Sequence, residues 1–402
     1  IFAVISGLTL FLLFSSQIDS SAMIVEMYRI VTTPILVAIP LFTFAGYLLS
    51  ESGAPKRLIR LSDAILGWLP GGLSIIALLA CAIFTALTGA TGLTIIALGG
   101  ILFPAMVQGR YPERFSLGLL TTSGTLGLLF PPSLPLIIYA IVAKVGIDQL
   151  FLAGILPGVL LVVLLSAFSV QKAIFSEIPR TKFNLSEVFK ALREMIWELP
   201  LPVVVLGGIY SGYFVVSEAA AITATYVLLI EAVIYRDIKW KELPQIMRKS
   251  MVLVGGILII LGAALGLTNY LIDQEIPMRM LDFFKAHITS PFVFLVVLNL
   301  FLLAVGCVMG IFSALTVVIP LITPIAHAYG IHPIHLGIIF LTNLEIGYLT
   351  PPVGLNLFIS SIRFGKPVTY LYRSVLVFIA VLFATLMLVC YVPIIVTWLP
   401  SL

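Results

Sequence analysis

Two short stretches of this chain collect the residues able to hold ions. Around Pro131 and Pro132 stand Thr121, Thr122, Ser123, Gly124, Thr125, Gly127 and Ser133. Around Pro351 and Pro352 stand Asn343, Glu345, Gly347, Thr350, Gly354 and Asn356. Proline inside a helix removes a backbone hydrogen bond and clashes with the carbonyl one turn back, so a double proline just after glycines stops a helix and restarts it. The stop exposes carbonyls, which suit a small cation, and the restart exposes amides, which suit an anion. The nearby hydroxyls and amides bring hard oxygens without a cluster of formal charge, which fits sodium better than a divalent metal. The competing reading is that Ser, Thr and Gly merely let helices pack closely. Glu345 is the one carboxylate that falls deep within a predicted span, and such a residue is a functional candidate by default. It reads either as a sodium ligand or proton carrier, or as an acceptor for backbone amides at the break.

The elements that must position these residues are membrane helices. The chain has 402 residues, 61% hydrophobic and only 10% charged, against about 25% charged in soluble domains, and its mean hydropathy is +1.19. Apolar runs long enough to span recur throughout, which predicts an all-α polytopic membrane protein. A net charge of +4 is small for this length and argues against nucleic acid. Cys81, Cys307 and Cys390 lie in apolar runs at spacings that no metal site uses, and neither a disulfide nor a metal role is expected of them. An intramembrane protease needs paired aspartates or an HExxH motif at membrane depth; the sequence has neither, so no enzyme is expected. The opening at Ile1, in mid-hydrophobic run, reads as a first helix without its start rather than a secretory signal.

In order, residues 1–16 read as that helix, followed by a polar loop (Gln17, Asp19, Ser20, Ser21) and a second helix from about Tyr28 to Leu49, lightly broken at Pro34 and Pro40. Residues 55–67 form an amphipathic arm lying in the interface, with Lys56, Arg57 and Arg60 opposite its apolar stripe. Residues 73–108 are too long for one span and short for two, so they read as a re-entrant hairpin whose tip carries Thr88, Gly89, Thr91 and Gly92. The first broken helix covers 114–146 and an ordinary span 149–174. Residues 175–217 hold an amphipathic cytoplasmic linker, N-capped by Ser186, and one span over 201–217. The rest, 218–402, repeats the first 174 residues: Pro131 and Pro351 lie 220 positions apart (351 − 131), and the same shift carries Pro104 onto Pro324 and Gly127 onto Gly347. It yields a second arm (277–287), a second hairpin (293–328) with Gly306, Gly310 and Ser313 at its tip, and a second broken helix (335–363). Paired interruptions in two halves are the sequence mark of a transport site.

The odd span between the halves makes the two repeats inverted. Under that topology 18 of the 22 Lys and Arg residues fall on one side, leaving only Arg29, Lys144, Arg279 and Lys285 on the other, so the first side is cytoplasmic. Trp68, Trp197, Trp240 and Trp398 fall at predicted interfaces. Glu26, Glu218 and Glu231 lie nearer helix ends and read as interfacial, and His327, His332 and His335 as an external polar loop rather than a zinc site.

These residues resemble the DctM-like large membrane subunit of tripartite ATP-independent periplasmic (TRAP) transporters. The likeness is carried by IPLFTFAGYLLSESG (39–53), the TGATG tip (88–92), GTLGLLFPPSLPLIIY (124–139) and NLEIGYLTPPVGLN (343–356). The resemblance implies a bacterial inner-membrane transporter of elevator type, coupled to sodium ions rather than ATP. It implies two partners, a periplasmic DctP-like substrate-binding protein and a small four-helix DctQ-like membrane subunit. It also implies an organic-acid solute held with sodium at the hairpin tips and helix breaks. The alternative is a stand-alone sodium/dicarboxylate symporter of the same architecture.

Overall fold

The computed structural model describes residues 2–17, 19, 21–31, 33–179 and 183–401; Ser20, Arg180 and Lys182, with the side chains of Glu26 and Arg29, lie outside the described residues. Among the described residues there is no strand, and 8 helices are long and apolar enough to cross a bilayer.

The chain opens with α1 (Phe2–Ser15) and α2 (Ser21–Val31), then a 3-10 turn (Pro34–Val37) that leads into α3 (Ala38–Glu51). The single helix expected from about Tyr28 is therefore two. Thr33, extended at φ −85° and ψ 109°, ends the first of them, because a proline ring pushes the preceding residue out of the helical region. Pro40 lies in the first turn of α3, where its missing N–H removes no internal bond, and α3 is unbroken there.

The arm is α4 (Ala54–Leu66), with Pro55 in its first turn and Ala54, Leu58 and Leu61 buried. Arg57 does not stay on its polar face. Its guanidinium lies 2.6 Å from Glu198, 3.0 Å from Glu231 and 2.6 Å from Asp237, above the Tyr235 ring. Burial opposes its charge, but Glu198 and Asp237 outweigh burial and raise its pKa further. Glu231, expected at the interface, is fully buried in this cluster.

The first hairpin is α5 (Gly72–Thr88) and α6 (Thr91–Gln108), turning at Gly89, whose φ of +64° suits a residue without Cβ. The first broken helix is α7 (Glu113–Ser123), a 3-10 turn (Leu126–Leu128) and α8 (Leu134–Ala143). After α9 (Ile147–Phe175) comes the linker helix α10 (Leu185–Glu194). Its N-cap is Asn184 and not Ser186: Asn184 is extended, and its side chain accepts from the Ser186 amide at 3.0 Å. The linker's apolar face is shallower than its pattern suggests, since Ala191 is buried while Phe189 and Ile196 are exposed.

The span expected over 201–217 is instead α11 (Pro200–Tyr210), only 11 residues and about 17 Å long, shorter than the helices long enough to cross a bilayer; non-helical residues 211–215 separate it from α12 (Val216–Leu229), which runs into a π turn (Ile230–Ile234). Glu198 before α11 and Glu231 and Asp237 at the end of α12 all reach Arg57. The two helices therefore run out and back. Next come α13 (Leu243–Asp273), the second arm α14 (Ile276–His287), and the second hairpin, α15 (Pro291–Val308) and α16 (Ile311–Ala328). The second broken helix is α17 (Pro333–Gly347) and α18 (Leu355–Phe364), followed by α19 (Val368–Tyr391) and α20 (Ile394–Thr397).

The halves interlock by exchange. Helix α12 packs along α3 and α1 along α13, while α16 packs on α8 and α6 on α18. The two broken helices also meet directly. The Tyr139 hydroxyl on α8 donates to the Pro333 carbonyl at 2.5 Å, and Thr121 on α7 donates to Ser360 on α18 at 2.9 Å. Of the three histidines, His335 is buried on α17 and bonded to the Val389 carbonyl at 2.8 Å, and His332 caps that helix, so these two do not form a polar loop. No group of three His, Cys, Asp or Glu that could hold a metal occurs among the described residues.

Candidate functional site at the two helix breaks

Each hairpin closes on the break of its own half through glycines. A Cβ on Gly127 would meet the Thr85 Cβ at 2.5 Å and also touch the Ala82 carbonyl and the Ala86 amide. A Cβ on Gly347 would lie 2.6 Å from the Gly306 backbone, and Gly306 faces it reciprocally. Side chains reinforce the first contact: Thr85 donates to the Gly124 carbonyl at 3.0 Å and shares a 2.6 Å bond with Thr94. In the second, the Gly354 amide donates to the Cys307 carbonyl at 3.3 Å, and the Ile311 amide, opening α16, donates to the Tyr348 hydroxyl.

The first tip does more than face its own break. Gly89 abuts Leu134 on α8, while Gly92 abuts Ile359 on α18, and the Thr91 hydroxyl donates to Asn356 Oδ1 at 2.9 Å. Residues 88–92 thus lie between the outgoing halves of both broken helices. Thr88 accepts from the Ala90 amide at 3.4 Å and holds the turn. At the second tip Ser313 is buried, but Gly310 has open space where a Cβ would stand and makes no close approach to the break. The breaks also differ in cover: Pro131 and Pro132 are buried, whereas Pro351 and Pro352 are exposed.

Several candidate oxygens are occupied locally. Ser123 donates to the Leu120 carbonyl at 3.2 Å, Thr125 to Thr122 at 2.9 Å and Thr350 to Ile346 at 2.8 Å. Gly124 approaches Ile95 of the hairpin, which makes it a packing position. Others are fully buried and have no hydrogen-bond partner among the described residues: Thr122 Oγ1, Ser133 Oγ, Asn343 Oδ1, both oxygens of Glu345 and Asn356 Nδ2. Buried polar groups are normally satisfied, and leaving one unpaired costs about 1–3 kcal/mol. Their occurrence at the two opened helices makes these breaks the candidate binding place. A cavity of about 400 Å³ beside Pro131 and Pro132 is not that place, since its lining, which includes Leu79, Ile83, Phe130, Val163 and Leu206, is apolar.

Sequence reading passed over Asn299, which sits 4% exposed on α15 and accepts from Asn343 Nδ2 at 2.7 Å. The signal was there: it is the only polar side chain in the run PFVFLVVLNLFLLAVGCV. It also passed over Tyr139, Tyr348 and Ser360, which look like ordinary helix residues until their partners are seen.

Residues 1–395 match the family described as the DctM component of the tripartite ATP-independent periplasmic transporter. A C4-dicarboxylate TRAP transporter large permease protein DctM from Pseudomonas aeruginosa is 36% identical over 99% of this chain and 93% of its own length. One of the same description from Vibrio cholerae is 37% identical over 91% of this chain and 86% of its own length. Among solved structures, the YdaH transporter of Alcanivorax borkumensis superimposes with a TM-score of 0.67 over 92% of this chain and 87% of that one; at 11% identity this speaks to fold alone. The hairpin and broken helix in each half, together with this match along nearly the whole length, place the chain in the DctM family of TRAP transporter components.

Proposed function

We propose that this chain is the large permease subunit of a sodium-coupled importer of an organic acid in a bacterial inner membrane. It works with a periplasmic binding protein and a small membrane subunit. The carrying observation is the set of unpartnered buried polar atoms at the two breaks. Oxygens of Thr122, Ser133, Asn343 and Glu345 are of the hard type that replaces the hydration shell of sodium. A bare Glu345 carboxylate in this fully buried position would be costly, and a cation beside it removes that cost. The donor side of the site, at the restarted helices, suits a carboxylate. A C4-dicarboxylate, the solute named for the two relatives above, fits that polarity.

In this reading the binding protein delivers the solute at the external face, sodium orders the breaks, and the two hairpin-plus-break units move as one block against the scaffold. The arms α4 and α14 brace that scaffold. Uptake of a radiolabelled C4-dicarboxylate into proteoliposomes holding all three components tests the proposal. An inward sodium gradient should accelerate uptake severalfold, and omission of the binding protein should abolish it. Equal rates with and without sodium would remove the coupling, and full uptake by this chain alone would indicate a stand-alone symporter.

A further inference from the structure

We propose that the two asparagines of the second broken helix serve opposite charges: Asn343 turns its amide oxygen to the coupling cation, and Asn356 turns its amide nitrogen to a carboxylate of the solute. The inference rests on the functional reading above and deepens it.

Both N–H groups of Asn343 are spent, one on Asn299 Oδ1 at 2.7 Å and one on the Ile339 carbonyl at 2.8 Å. Turning the amide over would bring two acceptors against each other at Ile339, so this orientation is fixed by its neighbours. What remains is a fully buried carbonyl oxygen without a donor, which is a cation ligand by its chemistry. Asn299 is held in turn by Cys390 on α19, its Nδ2 lying 3.3 Å from the thiol sulfur.

Asn356 is arranged the other way. Its oxygen is taken by Thr91 at 2.9 Å, and its buried Nδ2 has no acceptor. It is the second residue of α18, a 10-residue helix whose N-terminus carries partial positive charge. Four main-chain amides nearby are used, Gly354 on Cys307, Asn356 on Tyr348, Leu357 on Gly354, and Ile311 of the facing hairpin on Tyr348, while that of Leu355, at the start of α18, stands beside Asn356 as a further first-turn donor. The side-chain nitrogen is thus a buried donor free for an anion, in the first turn of the helix that follows the exposed Pro351 and Pro352. Each asparagine is bonded to a different hairpin, Asn343 to the second through Asn299 and Asn356 to the first through Thr91. Those two residues are positioning residues.

The test measures two constants in the complete reconstituted transporter: the solute KM at saturating sodium and the sodium half-saturation at saturating solute. Asn356→Leu should raise the solute KM roughly tenfold or more, the loss of one hydrogen bond to a charged group; Thr91→Val should raise it severalfold by releasing Asn356, and both should move the sodium constant less than about twofold. Asn343→Leu and Asn299→Leu should do the reverse. Asn343→Asp should keep sodium activation, because an oxygen stays in place, whereas Asn356→Asp should not restore solute binding. Where an asparagine variant fails to reach the membrane, its positioning partner carries the same test. Movement of both constants together in every variant, or the opposite pairing, overturns the proposal. If wild-type uptake ignores sodium, the functional reading and the Asn343 half fall together, and the KM of Thr91→Val still decides the Asn356 half.

Discussion

Adding a single carbon at Gly347 probes the closure of the second hairpin on its break. The new Cβ of Gly347→Ala would stand 2.6 Å from both the Cα and the carbonyl carbon of Gly306, and 3.0 Å from the Cys307 nitrogen. All three are main-chain atoms, so no side chain can rotate aside. Carbon contacts are comfortable at about 3.5–4.0 Å, and the tip must therefore retreat by about 1 Å. Overpacking of this kind costs about 1–3 kcal/mol. Charged entirely to the closed arrangement of tip and break, that is roughly a five- to 150-fold loss in its population. Dicarboxylate uptake into proteoliposomes, normalised to the amount of protein inserted, should fall by a factor in that range. Gly256→Ala on α13 is the control, because a Cβ there meets nothing within 4 Å. Wild-type uptake by Gly347→Ala at wild-type abundance, or an equal defect in Gly256→Ala, would refute the argument that this glycine contact shapes the site.

Gly127→Ala should produce a loss of similar size in the same assay, since its Cβ would meet the Thr85 Cβ at 2.5 Å; near-normal uptake would show that the two breaks do not contribute alike. Arg57→Ala strands Glu198 and Glu231, whose side chains are 5% and 0% exposed, and should destabilise the scaffold by about 3–5 kcal/mol. A lowered thermal unfolding midpoint of the detergent-solubilised protein reads this, with only partial recovery in Arg57→Lys, and an unchanged midpoint contradicts it. Asn184→Ala should loosen the linker helix by about 1 kcal/mol and speed proteolysis near it, while Ser186→Ala should not; the reverse ranking would return the cap to Ser186.

The breaks and hairpins were legible because their causes are local. Double prolines and clustered glycines act on the few residues around them: the turn falls at Gly89, within the glycine-rich stretch, while the helices end at Ser123 and Gly347, ahead of the double prolines to which the interruptions are assigned. Partner choice was not legible. Thr91 finds Asn356 across 265 residues, and nothing local predicts that the first tip leans on the second broken helix. Arg57 obeyed helical periodicity on paper, yet carboxylates 141 and 174 residues away draw it inward. The apolar run continues through Pro34 and predicts only a light break there, whereas the conformation this proline imposes on Thr33 separates two helices. Asn299 could have been singled out by the rule already applied to Glu345, that a polar side chain in an apolar span has a task.

Sodium entry and solute entry, followed in the same vesicles, bear most directly on the central claim that the two breaks hold a cation and an acid together. With labelled sodium outside and all three components present, adding a C4-dicarboxylate should start sodium influx, and Asn343→Leu should suppress both fluxes at subsaturating sodium. Solute accumulation that proceeds with no accompanying sodium influx would contradict the account.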